Sequence, residues 1–330
     1  MRAFTRITAL LLCLMTLMSV LAACGNNNAT TPNTTQNNET PKEDKPVVDN
    51  SPLCDGKTLK ILAITSSFGL NTTDFLYHIA KAEGCEEIIV ARLYASGCTL
   101  EAHVNNANED APAYEYTKIS NTTNGQWIEM ESIPMSYGLM DEEWDIIYLQ
   151  QSAHQSPIAT SYKDYIDQLM PYINDLKLNP DARFVWNQTW AFQSDCTQTL
   201  FVDRFMGDQM AMYQSIMDAT QQHVVPRTEF TALSPTGTAI QNARTSYFGD
   251  KLTRDTLHLN NLGKAIAGYT LWATLIDQDL TEINLEPLNS SEESKILTLS
   301  DADKQVIIEC VNNARANPWE VTPSVYTEKP

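Results

Sequence analysis

The stretch ILAITSSFGLN, residues 61–71, joins two patterns of sequence. The apolar run at 61–64 is typical of a strand that is buried on both faces of a sheet. The polar residues Thr65, Ser66 and Ser67 end this run, and a helical pattern follows. The stretch therefore predicts a core strand, a turn that carries two serines, and a helix. Either a serine of this turn is a nucleophile, or the turn is only a polar connection.

Outward from this stretch, predicted strands alternate with predicted helices. Strands are expected at 57–65, 87–94, 144–150 and 183–188, helices at 73–83, 100–107, 162–176, 207–223, 261–276 and 300–316, and a β-hairpin at 114–133. This alternation predicts an α/β sandwich with a mostly parallel sheet. Ligands bind such sheets outside the carboxyl ends of the strands, so the functional residues are expected just after each strand.

The N-terminal residues have the pattern of an export signal. Two arginines precede an apolar stretch at 7–20, and small residues lead to Cys24. Residues 1–23 are therefore predicted to be a signal peptide, and Cys24 is similar to the lipidated cysteine of bacterial lipoproteins. An ordinary signal peptide with a chance cysteine is the alternative. The Asn-, Thr- and Pro-rich segment 24–52 is predicted to be a disordered linker, and 53–330 a single domain.

Charge and cysteine content exclude several classes of protein. With 22 Lys and Arg against 41 Asp and Glu, the net charge of −19 disfavours nucleic acid as a partner, and membrane contact is expected through the lipid alone. No cysteine spacing is typical of a metal site, and no metal or cofactor is expected. Cys54 and Cys85 precede neighbouring predicted strands, so a disulfide between them is a hypothesis. Two separate thiols are the alternative.

One histidine of five stands in a catalytic pattern. His258 lies in TRDTLHLNNLGKA, three residues after Asp255. A carboxylate at this spacing on a tight turn can contact the imidazole ring and fix its tautomer. Acyl transfer needs such a base, a nucleophile and donors for the developing oxyanion.

The ordered set of motifs resembles the SGNH (GDSL-type) hydrolase superfamily. The similarity rests on the serine turn and on SGCTLEAH, WDIIYLQQ, NQTWAFQ, PTGTAIQNAR and RDTLHLNNLG, and within the superfamily it is to a branch of bacterial surface lipoproteins whose first motif is Gly-Asn-Ser-Phe-Ser. The resemblance implies a three-layer α/β/α sandwich with a flavodoxin-like sheet, into which the hairpin is a small insertion. It also implies roles for individual residues: Ser67 as nucleophile, Asp255 and His258 as acid and base, and Gly97 with Gln150 or Gln151 as oxyanion donors.

The first motif departs from this pattern. Thr65-Ser66 stands in place of Gly-Asn, and Gly69 replaces the second serine. Thr65 can take the turn's backbone only if its φ angle is negative. Ser66 could replace the lost Asn in part, or could itself be the reactive hydroxyl. A weakened or inactive member of the superfamily is therefore an alternative.

Three further residues are candidates to line the substrate cleft: His103, His154 and Trp190. Packing in the core is the alternative, because buried aromatic residues more often have that role. An aromatic wall beside polar donors suits a sugar ring. The sequence as a whole predicts a lipid-anchored, extracytoplasmic serine esterase that removes O-acyl groups, above all acetyl, from a small-molecule or polysaccharide ester. Two alternatives are a carbohydrate-binding lipoprotein that has lost the chemistry and a solute-binding lipoprotein.

Overall fold

The structure is a computed structural model and describes residues 51–290 and 295–329. These residues form a seven-stranded sheet with helices packed against it. The strands lie in the order β4-β3-β2-β1-β5-β6-β7. Their bounds are Thr58–Thr65 (β1), Glu87–Tyr94 (β2), Tyr114–Ser120 (β3), Ile128–Ile133 (β4), Ile146–Leu149 (β5), Arg183–Asn187 (β6) and Phe230–Ser234 (β7).

The central strands are parallel. β1 pairs with β2 on one side and with β5 on the other, and β5, β6 and β7 continue the sheet. The order 2-1-5-6-7 has the flavodoxin-like pattern, in which the chain first adds β2 on one side of β1 and later adds β5 on the other side. The predicted α/β fold with a mostly parallel sheet is therefore confirmed. The predicted hairpin also forms, and it extends the sheet because β3 pairs antiparallel with β2.

Helices cover both faces of the sheet. Their bounds are Ser67–Thr73 (α1), Leu76–Ala82 (α2), Leu100–Glu109 (α3), Met135–Met140 (α4), Lys163–Leu176 (α5), Gln209–His223 (α6), Thr236–Arg244 (α7), Asn261–Ile276 (α8) and Asp301–Ala316 (α9). The α3, α4 and α5 side chains form one core with Leu62 and Ile64 of β1. Those of α1, α2, α7, α8 and α9 form the other with Ile61 and Ala63. This alternation explains why four successive residues of β1, at 61–64, are all apolar.

Two elements differ from the prediction in ways that matter for the site. The helix expected at 73–83 is two short helices, and the first begins at Ser67, directly after the strand. The strand β7 and the helix α7 lie outside the sequence prediction, because 230–244 mixes apolar and polar residues without a clear period. β7 pairs with β6 and forms one edge of the sheet.

The predicted signal peptide, the lipidation site Cys24 and nearly all of the linker lie outside the described residues. The described residues belong to one compact unit. Within it, no helix has the length and apolar character needed to cross a membrane.

All five cysteines of the described region are free and buried. The thiols of Cys54 and Cys85 contact each other by a hydrogen bond, and Cys54 Sγ also donates to Thr58 O at 2.9 Å. The hypothesis of a disulfide between them is therefore wrong for this structure. Its spatial basis was correct, because the starts of the parallel strands β1 and β2 do bring the two thiols together at the amino edge of the sheet.

We expect five free thiols in a chain that lacks residues 1–24, counted with a thiol reagent under denaturing conditions. All five thiols are buried and none is bonded to another cysteine, which explains this number. A count of three would mean that the Cys54–Cys85 contact is oxidised.

A buried ion cluster joins the two short helices to β2 and α8. Asp74 lies at the end of α1, and its carboxylate contacts Lys264 Nζ at 3.0 Å and Arg92 Nη2 at 3.4 Å. All three side chains are at least 95% buried. Removing the anion would leave two buried cations without their common partner, which is far costlier than losing an exposed ion pair.

We therefore expect Asp74→Ala to lower the free energy of unfolding by about 3–5 kcal/mol in urea denaturation. The matched control is Asp175→Ala, because Asp175 is an exposed aspartate of α5. This control should change the stability by less than about 0.5 kcal/mol. Equal effects of the two substitutions would contradict the importance of the cluster.

Candidate active site

The two serines of the turn after β1 face in different directions. Ser66 is the N-cap of α1 and is 2% exposed, while Ser67 is the first helical residue and is partly exposed. Ser66 Oγ accepts a hydrogen bond from Gln150 Nε2 at 3.4 Å inside the protein. Ser67 Oγ lies at the surface and contacts His258. The structure therefore singles out Ser67, and not Ser66, as the serine beside the histidine.

Ser67, His258 and Asp255 form one hydrogen-bonded relay. Ser67 Oγ lies 2.9 Å from His258 Nε2, and Asp255 Oδ2 lies 2.7 Å from His258 Nδ1. The first contact joins residues 191 positions apart in the chain. Both distances are within hydrogen-bond range, which is the geometry that an activated serine needs. In this arrangement Nδ1–H donates to the carboxylate and Nε2 is free to accept the serine proton.

Asp255 is held as an anion by the same loop. Partial burial alone would raise the pKa of Asp255, but the hydrogen bonds from the His258 backbone N–H and ring, and from the Leu257 N–H, lower it below its ordinary value. The carboxylate is thus ionised across the neutral pH range. It can orient the imidazole and stabilise the imidazolium that forms when the serine is deprotonated.

The loop that carries Asp255 and His258 is braced at several points. Its base is a β-bridge between Thr253 and Leu259, and the Arg254 N–H donates to His258 O at 2.8 Å. Thr256, between the two catalytic candidates, has a φ of 71°, a left-handed conformation that is costly for a β-branched residue. The Gln193 N–H donates to Thr256 O at 2.8 Å and helps to hold this conformation.

Two buried residues connect this loop to the serine turn. Trp190 Nε1 donates to Leu257 O at 2.9 Å, and its ring stacks on Phe68 with centroids 4.0 Å apart. Asn71 Oδ1 accepts the Leu259 N–H at 2.8 Å. Phe68 follows Ser67, and Leu257 and Leu259 flank His258. These contacts therefore set the separation of the serine from the histidine.

Of the predicted oxyanion donors, two lie beside the serine turn and one does not. The loop of Gly97 is tied to this turn, because the Ala95 N–H donates to Thr65 O at 3.2 Å, and Gly97 is exposed with a φ of 62°. Gln150 reaches Ser66, and its Oε1 is held by Tyr148 OH at 2.7 Å.

Gln151 points elsewhere. Its Oε1 accepts the Leu100 and Ser152 N–H groups, and its Nε2 donates to Ser161. Gln151 therefore anchors loops, and of the two glutamines it is Gln150 that contacts the serine turn.

Thr65 and Gly69 fit closely against each other. A Cβ atom built on Gly69 would lie 1.8 Å from Thr65 Oγ1, so the Thr65 side chain fills the space that a side chain at 69 would need. Thr65 is fully buried, its φ is not positive, and its hydroxyl donates to Ser66 O at 3.0 Å. Threonine at 65 and glycine at 69 are thus accommodated with Ser67 in contact with His258.

Two of the three predicted cleft residues are corrected by the structure. His103 is 1% exposed and contacts Tyr114 OH at 2.8 Å, and its burial lowers its pKa to about 4, so it is a neutral core residue. Trp190 is fully buried behind the site. In both cases the apolar side of the ring packs in the core, a role that the sequence could not separate from cleft lining.

His154 does lie at the site. It is exposed, its ring meets Phe192 edge-on at 5.4 Å, and it is close enough to His258 to be affected by its charge. Partial burial lowers the pKa of His154, and the neighbouring His258 lowers it further.

The site is open and has no metal centre in the described residues. The side chains of His258 and Asp255 are 26% and 47% exposed. No group of three or more His, Cys, Asp or Glu side chains in the described ranges is placed to hold a metal ion. The sequence analysis missed Asn71 as a brace of the histidine loop. Its only signal was a polar residue on a helix face that must be buried.

The fold and the relay define an α/β/α sandwich with a Ser-His-Asp arrangement at the carboxyl edge of its sheet. Within this class, the chain belongs to the DUF4886 family, a domain of unknown function, whose model matches residues 60–302. It is 31% identical to a DUF4886 family protein from Bacteroides uniformis ATCC 8492, whose crystal structure superimposes with a TM-score of 0.73 and covers 82% of this chain and 100% of that one.

More distant structures share less. A candidate GDSL-like lipase from Parabacteroides merdae ATCC 43184 is 8% identical with a TM-score of 0.40, over 67% of this chain and 97% of that one. An α/β hydrolase enzyme from the metagenome of Lake Arreo, Spain, is 8% identical with a TM-score of 0.38, over 67% and 97%. Similarity at this level does not extend to function. No curated protein matches the chain.

The close contact between Thr65 and Gly69 predicts how substitutions at these two positions affect stability. Gly69→Ala should lower the free energy of unfolding by about 1–3 kcal/mol, because the new Cβ overlaps Thr65. The double variant Thr65→Gly/Gly69→Ala should recover part of this loss, because Thr65→Gly removes the atoms that the new Cβ overlaps. A double-mutant cycle measured by urea denaturation gives the coupling energy, and additive effects would show that the two side chains do not compete for the same space.

Proposed function

We propose that this protein is an SGNH-type serine esterase that removes O-acyl groups, above all acetyl, from carbohydrate. The observation that carries the proposal is the unbroken relay from Asp255 through His258 to Ser67. Ser67 is activated as a nucleophile in this arrangement, because His258 can accept its proton and the Asp255 carboxylate stabilises the charged imidazole that results.

The first half of the reaction acylates the serine. Ser67 Oγ attacks the ester carbonyl carbon while His258 Nε2 takes the serine proton. The carbonyl oxygen becomes an oxyanion, and we assign its binding to the backbone N–H groups at Ser67 and Gly97 and to the Gln150 amide. Collapse breaks the bond to the sugar oxygen, which receives the proton from His258. Donors already in position at the oxyanion supply much of the rate enhancement in such sites.

The second half restores the enzyme. A water molecule attacks the acyl-Ser67 ester as His258 Nε2 removes its proton. The tetrahedral intermediate breaks, the proton returns to Ser67 Oγ, and the carboxylic acid leaves. Asp255 stays ionised throughout and stabilises the imidazolium in both halves.

The openness of the site supports a short acyl group on a large alcohol. The partly exposed side chains of His258 and Asp255 and the exposed Gly97 loop allow a polymer to approach. A short acyl group such as acetyl needs no apolar tunnel. Location outside the cytoplasmic membrane, with a lipid on Cys24, is part of the same proposal and is supported by the pattern of residues 1–24.

We expect Ser67→Ala and His258→Ala each to lower kcat/KM for p-nitrophenyl acetate by about 10³-fold or more, and Asp255→Ala by less. Removing all three should cost little more than removing one, because the residues act as a unit. Thermal unfolding should be nearly unchanged, and Ser215→Ala, at a partly exposed serine of α6, serves as the matched control.

Two outcomes would overturn the proposal. Full activity in Ser67→Ala would exclude the covalent mechanism. A wild-type protein that binds carbohydrate but cleaves no acetyl ester would instead be a binding lipoprotein on the same fold.

A further inference from the structure

A large groove with a basic lining lies beside the histidine loop. Its volume is about 1020 Å³, and it is bounded by residues within 247–254, 260–262 and 295–299, together with Asp303 and Lys329. We call it the basic groove. Its volume is at the upper end of the range of roughly 300–1,000 Å³ that holds drug-sized ligands. It therefore has room for several sugar residues.

The charge of the basic groove is opposite to that of the whole chain. Four of its lining residues are cations, Lys251, Arg254, Lys295 and Lys329, against one acid, Asp303. The chain as a whole has a net charge of −19. A local excess of positive charge within an acidic protein concentrates field lines and attracts anions to that one place.

The single acid of the groove is an anion that lies largely out of contact with solvent. Asp303 is 14% exposed, and its carboxylate accepts hydrogen bonds from Tyr247 OH at 2.8 Å and from Ser300, with Lys329 at 3.8 Å. Partial burial alone would raise the pKa of Asp303, but these hydrogen bonds lower it, so the carboxylate is ionised. The lysines, in contrast, are exposed, and the Lys329 side chain is 64% exposed. The lining thus carries four cations against one anion, and its lysines face the solvent.

The basic groove begins where the catalytic loop ends. Arg254 lines it, and the next residue along the chain is Asp255 of the relay; consecutive Cα atoms are about 3.8 Å apart. Arg254 Nε also lies 3.9 Å from the Asp255 carboxylate. One braced loop therefore carries Asp255 and His258 of the relay and also a residue of the groove's lining. The basic groove thus adjoins the loop that positions the histidine.

The kind of cation indicates the kind of anion. Three of the four are lysines, which are strongly hydrated point charges on flexible stems, and only one is an arginine, whose fork suits a single phosphate or carboxylate. Spread lysines tolerate variable spacing of anions. This suits carboxylates that repeat along a sugar chain better than one compact phosphate, and a nucleic acid would be repelled by the remaining acidic surface.

We propose that the basic groove binds the carboxylate-bearing sugars of an acidic oligosaccharide or polysaccharide while an O-acyl group of the same chain reaches Ser67. The proposal rests on the esterase function proposed above and gives it a substrate class: O-acylated polyuronates. In the reaction, the groove holds the alcohol portion of the ester, and it takes no part in bond making or breaking.

The test compares two substrates of equal length and acetylation, O-acetylated oligogalacturonate and O-acetylated cello-oligosaccharide. The readout is the ratio of their kcat/KM values. We expect the ratio to exceed about 10 at low salt and to approach 1 near 1 M salt, where the Debye length is about 3 Å. Lys251→Gln/Lys295→Gln should lower the ratio by about three- to tenfold, chiefly through KM for the acidic substrate.

The matched control is Lys57→Gln/Lys81→Gln. It makes the same change of net charge at two exposed lysines on the amino edge of the sheet, opposite the site, and should leave the ratio unchanged. Equal cleavage of the two substrates by the wild type would overturn the proposal. An unchanged ratio in the groove variant, or an equal fall in both variants, would do the same.

Binding separates this proposal from the esterase proposal. If the wild type cleaves no ester, calorimetry with unacetylated oligogalacturonate still measures whether the basic groove binds its ligand. Binding that is weaker in Lys251→Gln/Lys295→Gln than in the control supports the basic groove even though the esterase proposal has failed. No binding to the wild type overturns it. Thermal unfolding of each variant verifies that the exposed lysines were replaced without loss of the fold.

Discussion

The parallel pairing of β1 between β2 and β5 is the constraint on which the rest of the structure depends. Strands that run in the same direction end at the same edge, so the residues after each strand converge there. The serine turn, the Gly97 loop and Gln150 are distant in sequence and become neighbours only for this reason. The burial of β1 on both faces makes its register strict, because a shift by one residue would exchange its two core faces.

The reactive geometry is then set by packing rather than by the relay's own hydrogen bonds. The Phe68–Trp190 stack lies beneath the serine, and the Trp190 indole holds the loop of His258 from the other side. Both rings are buried and so have little freedom. Ser67 and His258 are partly exposed, and a hydrogen bond between exposed groups contributes only modestly to stability. The aromatic pair is therefore the element that keeps their distance short.

The close approach of Thr65 to Gly69 shows how the space around the backbone constrains the serine turn. A Cβ atom at 69 would lie 1.8 Å from Thr65 Oγ1, so glycine is the residue that fits at 69 while threonine stands at 65. The local sequence does not reveal this restriction, because it depends on how closely the end of β1 and the first turn of α1 approach each other.

The sequence by itself determined the class of fold and the pairing of Asp255 with His258. Apolar runs bounded by polar turns fix alternating strands and helices because burial and hydrogen bonding are satisfied locally, and the spacing of Asp255 and His258 is a short-range property of one loop. The sequence did not determine which serine faces the histidine, since adjacent residues at a strand end differ only in the direction in which the backbone presents them. It also missed β7, a five-residue edge strand that mixes apolar and polar residues and is only partly buried. The burial of His103 and Trp190, the choice of Gln150 over Gln151 and the basic groove were decided by the tertiary structure alone, because each depends on residues that are far apart in the chain and meet only after the sheet has formed.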